Sequence, residues 1–357
     1  MLNIREIFLS AIISCAASLI LGYPMLRLAK YLNLMDIPGS APHKRHRHPT
    51  PLAGGLLLIA SLILMIFIFR QWVNREILAV LAGAVVIFIF GLWDDAKGLS
   101  AFPKLIGQSI AVAVLIAFRV QVNFIGTLPF ASGFPPTLTQ FLNIAITLFW
   151  TIGITNAVNM VDSMDGIVAG LGIIASVCFV GATKLSNQDT LAFWAAILLG
   201  ISIGLYTWNR RPAKFFLGDS GSQTIGFLLA SFGILYNPIN LHPESSWIVP
   251  ILLLSIPIFD TTLVVYSRLK KKQPVGNGRQ DHTYHRLIAM GLSPGYAVLV
   301  THTASIIISC LAFLLLYLHP LLANFVFGLV VLFGVGILIW FENKPTLDDG
   351  LNKVNSV

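Results

Sequence analysis

Asn156-Ala157-Val158-Asn159-Met160-Val161-Asp162-Ser163-Met164-Asp165-Gly166 places two carboxamides and two carboxylates at intervals of three, between the apolar runs Phe141 to Ile154 and Ile167 to Ala182. Two ionised carboxylates at a membrane boundary repel one another and lose hydration, so they suit a cation or a substrate better than packing. On an α-helix three residues advance about 300°, which would turn Asn156 and Asp165 to opposite sides. A period of three instead stacks side chains in a 3₁₀ turn. The spacing therefore predicts a helix end that tightens into a 3₁₀ turn or loop, with Gly166 permitting the exit.

The chain around this stretch has 357 residues, 56% hydrophobic and 11% charged, with a mean hydropathy of +0.82. That composition belongs to polytopic membrane proteins rather than to two or three soluble domains. Runs of about 17 to 25 apolar residues suffice to cross a bilayer. Eleven are found, near 6–26, 52–69, 77–93, 105–120, 138–155, 167–183, 190–207, 222–238, 246–266, 295–318 and 320–341. The expected fold is a single all-α transmembrane domain over residues 1–357. Arg5 and Glu6 precede the first run and no small-residue cleavage site follows it, so that run is read as a span rather than a signal peptide. Cys15, Cys178 and Cys310 lie in separate apolar runs and predict no disulfide framework.

Alternate connections carry 18 of the 23 lysines and arginines, leaving Arg5, Arg70, Arg75, Arg119 and Lys184 on the opposite side. By the positive-inside rule the basic side is cytoplasmic, with the N-terminus outside and the C-terminus inside. The net charge of +8 then reflects topology. Exposed aromatics are not interleaved with the basic residues, which excludes a strand-binding groove for nucleic acid.

The cytoplasmic loops fall near 27–51, 94–104, 156–166, 208–222 and 267–294, and three of them hold Asp94, Asp95, Asp162, Asp165 and Asp219. Carboxylates mixed with carboxamides suit a hard cation, Mg²⁺ or alternatively Mn²⁺, rather than zinc. Asp94 and Asp95 are about 100° apart on a helix and are expected to do different jobs. Gly218-Asp219-Ser220-Gly221-Ser222 sets an acid between glycines at the start of an apolar run. Backbone N–H groups there can face a phosphate while Asp219 holds the metal, or the segment is an ordinary cap. Gly54-Gly55 permits close approach of a ligand or a neighbouring helix. His282, His285 and Arg286 offer charge to a pyrophosphate. His43, His46 and His48 are at best phosphate or headgroup contacts. Asp260, the one acid inside a span, is expected to meet a polar partner or lie near the cytoplasmic mouth.

Taken together, Asp94-Asp95, Asn156-x-x-Asn159-x-x-Asp162-x-x-Asp165-Gly166, Phe216-Leu217-Gly218-Asp219-Ser220-Gly221-Ser222 and His282-Thr283-Tyr284-His285-Arg286 resemble, in order, the motifs of the polyprenyl-phosphate N-acetylhexosamine-1-phosphate transferase superfamily. The resemblance covers essentially the whole chain. It implies ten or eleven helices around a cytoplasmic cleft in the bacterial inner membrane, Mg²⁺ dependence, and a UDP-sugar and polyprenyl phosphate as substrates, with a homodimer as an option. It implies catalytic roles for Asp94, Asp95, Asp219, His282 and His285, with the metal on Asp219. Substrate contacts are implied for Asn156, Asn159, Asp162, Asp165, Asn209, Lys104 and Arg286, and uracil stacking for Phe216. The family's motif commonly reads His-x-His-His, and Tyr284 departs from it. Three consecutive histidines are absent, which points away from phospho-N-acetylmuramoyl-pentapeptide transferases and towards N-acetylglucosamine-1-phosphate transfer. A distant alternative is an ion-coupled transporter; its acids should lie at the midplane of repeated halves, and these lie in one-sided loops.

Overall fold

A computed structural model of the protein describes residues 3–347, apart from 40–47, 71–73, 129–130, 132, 239, 275 and 277–278. His43 and His46 lie outside the described residues. The chain runs through α1 (Ile4–Tyr31), a short antiparallel pair β1 (Met35–Asp36) and β2 (Thr50–Pro51), then α2 (Gly54–Phe69), α3 (Arg75–Lys97), α4 (Ala101–Ala117) and α5 (Pro136–Val161). It continues through α6 (Ile167–Leu185), α7 (Asp189–Asn209), α8 (Gly218–Leu235), α9 (Pro243–Ser246), α10 (Ile248–Leu253), α11 (Ser255–Lys270), α12 (Thr283–Ala289), α13 (Pro294–Leu316) and α14 (Pro320–Glu342). Local signals set several starts. Asn3 and Glu6 form a reciprocal capping box at α1, Asn74 accepts the Glu76 and Ile77 N–H groups at α3, and Ser293-Pro294 opens α13.

Each of the eleven apolar runs folds as helix, which makes this an all-helical, multi-pass membrane protein. Among the described residues, seven helices (α1, α3, α5, α6, α7, α13 and α14) are long and apolar enough to cross a bilayer, or eight if the bent segment from α9 to α11 is one span. The ninth run breaks by 72° between Leu253 and Ser255. The runs expected at 52–69 and 105–120 give helices of only 16 and 17 residues, and α8 begins on polar residues.

The most enclosed helix is α8, buried continuously from Ser220 to Phe232 between α2, α3 and α5. Small residues allow the other close crossings. On α7, Gly200 meets Ser14 and the Ala11 carbonyl of α1, and Gly204 meets Ser18. At the other extreme, α14 buries only Ala323 and Phe341 and presents Leu321, Phe325, Leu332 and Phe333 outward, as a lipid-facing helix does. The three cysteines are free.

The helix end resolves as the loop 162–166, with a single 3₁₀-type bond from the Asp162 N–H to the Asn159 carbonyl at 3.1 Å and no run of 3₁₀ turn. Because α5 stays α-helical to Val161, Asn156 and Asn159 project from helix and Asp162 takes the C-cap. The turn to α6 closes on Gly166 at φ +79°, a backbone region that glycine enters without steric cost. The four polar side chains consequently do not stack, and Asn156, Asn159 and Asp165 each find a different partner.

Candidate active site

The site is built on the first turn of α8. Leu217, its N-cap, offers no side-chain hydrogen bond. The missing cap comes from α3: Asp95 accepts the Asp219 N–H at 2.7 Å, the Ser220 N–H at 3.1 Å and the Ser220 hydroxyl at 2.5 Å. Glycines bring the backbones close enough. A Cβ on Gly91 would sit 2.5 Å from Ser220 Cα, one on Gly55 2.2 Å from Ser220 Oγ, and one on Gly218 2.6 Å from the Asp95 carboxylate. Gly54-Gly55 thus serves a neighbouring helix rather than a ligand. Asp95, expected among the catalytic residues, has both oxygens committed to holding α8.

Asp94 faces elsewhere, as its rotation around the helix requires. It accepts the Leu99 N–H and pairs with Lys104, whose ammonium also reaches Asp219 Oδ2 at 2.6 Å. Asn159 donates to Asp219 Oδ1 at 3.1 Å and to Ser222 Oγ at 2.8 Å. Asp94, Lys104, Asn159 and Asp219, from four helices, therefore form one contiguous group. Burial opposes ionisation of Asp219, but its hydrogen bond with Asp94 and then the Lys104 charge hold its pKa at about 2. Asp162 behaves oppositely: burial, and then Asp219, Asp95 and Asp165, push its pKa well above the usual carboxylate value. The cluster has more acids than its one lysine neutralises.

That imbalance bears on metal binding. Among the described residues no group of three or more His, Cys, Asp or Glu forms a ready cage. Mg²⁺ needs none, since it takes one or two carboxylates and keeps water and phosphate oxygens. The Lys104 ammonium already sits between Asp94 and Asp219 as a cation would. An oxygen-donor Asp219 beside a second carboxylate fits a hard divalent ion.

Other expected contacts are turned inward. Asn156 pairs with Gln108 and the Ile152 carbonyl. Asn209 is buried, accepting the Gly166 N–H at 3.0 Å and donating to the Phe215 carbonyl at 3.1 Å, so it clips two loops together instead of offering its amide to a nucleotide. Asp165 accepts the Ala213 N–H at 3.2 Å. Phe215 is buried against Trp208, with centroids 5.9 Å apart. Half-buried Phe216 is fixed by its backbone, which bonds to Pro51 and Gly54.

The histidine segment lies against the loop that follows α5. Tyr284 is buried, with its hydroxyl against Ser163 Oγ and the Val161 carbonyl; burial first, and then Asp260, push its pKa well up. Stacked on it is His282, whose Nδ1 is 2.7 Å from Asp260. Asp260 also accepts the Thr283 N–H at 2.7 Å, so the intramembrane acid has the polar partner expected of it. His285 packs on Tyr284 with centroids 4.6 Å apart. Arg286, for which a substrate contact was implied, is held elsewhere. It is fully buried, donating to the Asp281, Phe341, Glu342 and Lys344 carbonyls, to Ser267 Oγ and to the Glu342 carboxylate. It fastens the end of α14 and does not face the acids.

The profile of Glycosyl transferase family 4 matches residues 77–237, the segment from α3 through α8 that contains Asp94, Lys104, Asn159 and Asp219. A "Decaprenyl-phosphate N-acetylglucosaminephosphotransferase" of Mycolicibacterium smegmatis is 30% identical over 82% of this chain and 79% of its own length. The chain belongs to glycosyl transferase family 4. Within the family it is also similar to a "Probable undecaprenyl-phosphate N-acetylglucosaminyl 1-phosphate transferase" of Bacillus subtilis, 28% identical over 92% of this chain and 90% of that one. A "Phospho-N-acetylmuramoyl-pentapeptide-transferase" of Limosilactobacillus reuteri is 31% identical over 68% of this chain and 78% of its own.

The family segment includes residues that motif reading passed over. Gln108 and Gln223 complete the hydrogen bonding around Asp219 and Asn156. A signal for the glutamines was present, since a carboxamide inside an apolar run needs a partner. Asp260 and the histidine segment lie beyond the matched residues, and Tyr284 and Arg286 join them to the rest of the fold.

Proposed function

We propose that the chain transfers N-acetylglucosamine-1-phosphate from UDP-N-acetylglucosamine to undecaprenyl phosphate, releasing UMP and initiating a lipid-linked envelope glycan. The observation that carries the reading is the Asp94–Lys104–Asp219 group: an ammonium between two carboxylates at a helix start, suited to gathering phosphates. The names of the relatives from Bacillus and Mycolicibacterium support the sugar and the lipid. Eleven crossings are part of the proposal, with the acid-bearing ends and the C-terminus cytoplasmic and the N-terminus outside, in the bacterial inner membrane; the distribution of basic residues supports this topology.

A non-bridging oxygen of the lipid phosphate attacks the sugar-linked phosphorus. A new P–O bond forms, the bond to the UMP oxygen breaks, and the electron pair departs with UMP. Asp219 would hold Mg²⁺, which supplies charge neutralisation at the diphosphate when bound. Lys104 draws the anionic groups in, Asp94 orients Lys104, and Asp95 keeps the first turn of α8 in place. Asp162 and Asp165 border the same loop and would meet the nucleotide, with His282 and His285 near the converging phosphates. Fixed geometry of this kind removes up to about 7–11 kcal/mol of the barrier to bringing two anions into line.

UMP release from purified protein with Mg²⁺ and undecaprenyl phosphate tests the proposal. UMP is expected with UDP-N-acetylglucosamine and none with the muramoyl-pentapeptide nucleotide. The reverse preference would assign the chain to the other branch, and silence with every UDP-N-acetylhexosamine would overturn the activity.

A further inference from the structure

Behind Asp219 runs a line of amides, Gln223 and Gln108 buried and Asn156 half-buried, of which only Asn156 belongs to a recognised motif. Gln223, 3% exposed, donates from Nε2 to Asp219 Oδ2 at 3.3 Å. Its own oxygen accepts Gln108 Nε2 at 3.1 Å, and Gln108 is 2% exposed. Gln108 and Asn156 pair reciprocally, through Gln108 Nε2 to Asn156 Oδ1 at 3.1 Å and Asn156 Nδ2 to Gln108 Oε1 at 2.8 Å. Asn156 Nδ2 also donates to the Ile152 carbonyl at 2.8 Å.

The direction of the line is set by chemistry. A backbone carbonyl only accepts, so Asn156 must turn its NH₂ to Ile152. Gln108 must then give its oxygen to Asn156 and its NH₂ to Gln223, and Gln223 is left with its NH₂ towards Asp219. Flipping any one amide would set donor against donor or oxygen against oxygen.

We propose that Gln223, oriented by Gln108 and Asn156, is a positioning residue that keeps Asp219 Oδ2 filled and leaves Oδ1 as the oxygen offered to a metal ion. This rests on the reading of Asp219 as the metal-holding residue. A carboxylate oxygen accepts about two hydrogen bonds. Of the amide and ammonium donors, Oδ2 takes two, Lys104 and Gln223, whereas Oδ1 takes the one from Asn159; the hydrogen bond shared with Asp94 adds to the same carboxylate. A carboxylate confined to one oxygen suits the strict octahedron of Mg²⁺ and disfavours Ca²⁺, which tolerates bidentate carboxylates and more ligands. The amide line is thus a device for metal discrimination built behind the site.

The test is Mn²⁺ binding to the purified full chain, followed by electron paramagnetic resonance and displaced by Mg²⁺ or Ca²⁺ in separate titrations. Wild type should bind Mn²⁺ and release it to Mg²⁺ at lower concentration than to Ca²⁺. Gln223→Leu and Gln108→Leu should each lower that preference about tenfold, the scale on which outer partners act at metal sites. Ser231→Ala, further along α8, should leave it unchanged and reports any general loosening of the helix. An unchanged preference in either folded glutamine variant overturns the proposal. So does a wild type that binds no Mn²⁺ or prefers Ca²⁺, a result that requires no variant to fold. UMP release is measured on the same preparations. Its absence beside an intact, glutamine-dependent Mg²⁺ preference would count against the transferase reading and not against the amide line.

Discussion

Replacing Asp95 by Ala separates a base from a cap. In the structure the Asp95 carboxylate takes the Asp219 and Ser220 N–H groups and the Ser220 hydroxyl. Alanine would leave two amide donors at the start of α8 without acceptors, beside the close packing of Gly55 and Gly91 on Ser220. Each buried unsatisfied donor costs about 1–3 kcal/mol, so the loss should be about 2–6 kcal/mol. With an unfolding entropy of about 2.1 cal/mol/K per residue, a chain of this length loses about 1.3 °C of midpoint per kcal/mol, or about 3–8 °C in all. The assay is tryptophan fluorescence during heating in detergent, run beside UMP release. Asp95→Ala should lose both stability and turnover, whereas Asp94→Asn, which keeps an oxygen for the Leu99 N–H, should lose turnover with a midpoint shift of less than about 2 °C. An Asp95→Ala protein with the wild-type midpoint and no turnover would refute the cap and return Asp95 to the chemistry.

Lys104→Met should reduce turnover by about 100-fold or more, because Asp94 and Asp219 would then face each other without a shared cation, and Lys104→Arg should recover part of it; initial rates of UMP release decide this. Tyr284→Phe keeps the stacking on His282 and removes the hydroxyl that meets Ser163 and the Val161 carbonyl, so it should cost about 1–2 kcal/mol, read as a small fall in the thermal midpoint. Arg286→Lys cannot reproduce the guanidinium's spread of donors to the end of α14 and should destabilise by about 3–5 kcal/mol, while KM for the UDP-sugar in the folded fraction stays at the wild-type value; a raised KM with normal stability would restore Arg286 to the substrate site. Gly55→Ala should fail to accumulate as folded protein, since its new methyl would overlap Ser220, and normal yield would contradict the packing described for α8.

Hydrophobic runs and polar punctuation are local properties, and they made the helices readable; the loops expected to bear the acids are partly helix ends, with Asp94 and Asp95 in the last turn of α3 and Asp219 in the first turn of α8. All eleven runs are helical, and the motif acids Asp94, Asp95 and Asp219 do converge. The division of labour between Asp94 and Asp95 was legible only as an expectation from their separation around a helix. Which of them meets Lys104 and which caps α8 depends on how α3 is rotated against α4 and α8. That rotation is set where Gly91 of α3 packs on Ser220 of α8 and Gly107 of α4 packs on Phe90 of α3, contacts between residues apart in the chain.

The same reason explains the misplaced residues. Arg286 lies in a recognised motif and Asn209 in a stretch read as a polar loop, and polarity alone does not distinguish a side chain aimed at a ligand from one that satisfies carbonyls or N–H groups elsewhere in the fold. Arg286 meets the end of α14, 55 residues away, and Asn209 meets Gly166, 43 residues away. Gln108 and Gln223 were passed over for the complementary reason: an amide in an apolar run signals that a partner is needed, but which helix supplies it is decided by the fold. By itself the sequence determined a helical membrane chain with its acids gathered at the ends of apolar runs, because periodic apolarity and charge bias act within each segment. The assignment of each acid and amide to cap, cation, substrate or neighbouring helix was decided by tertiary packing, because a hydrogen bond requires a partner at about 3 Å and only the folded chain supplies one.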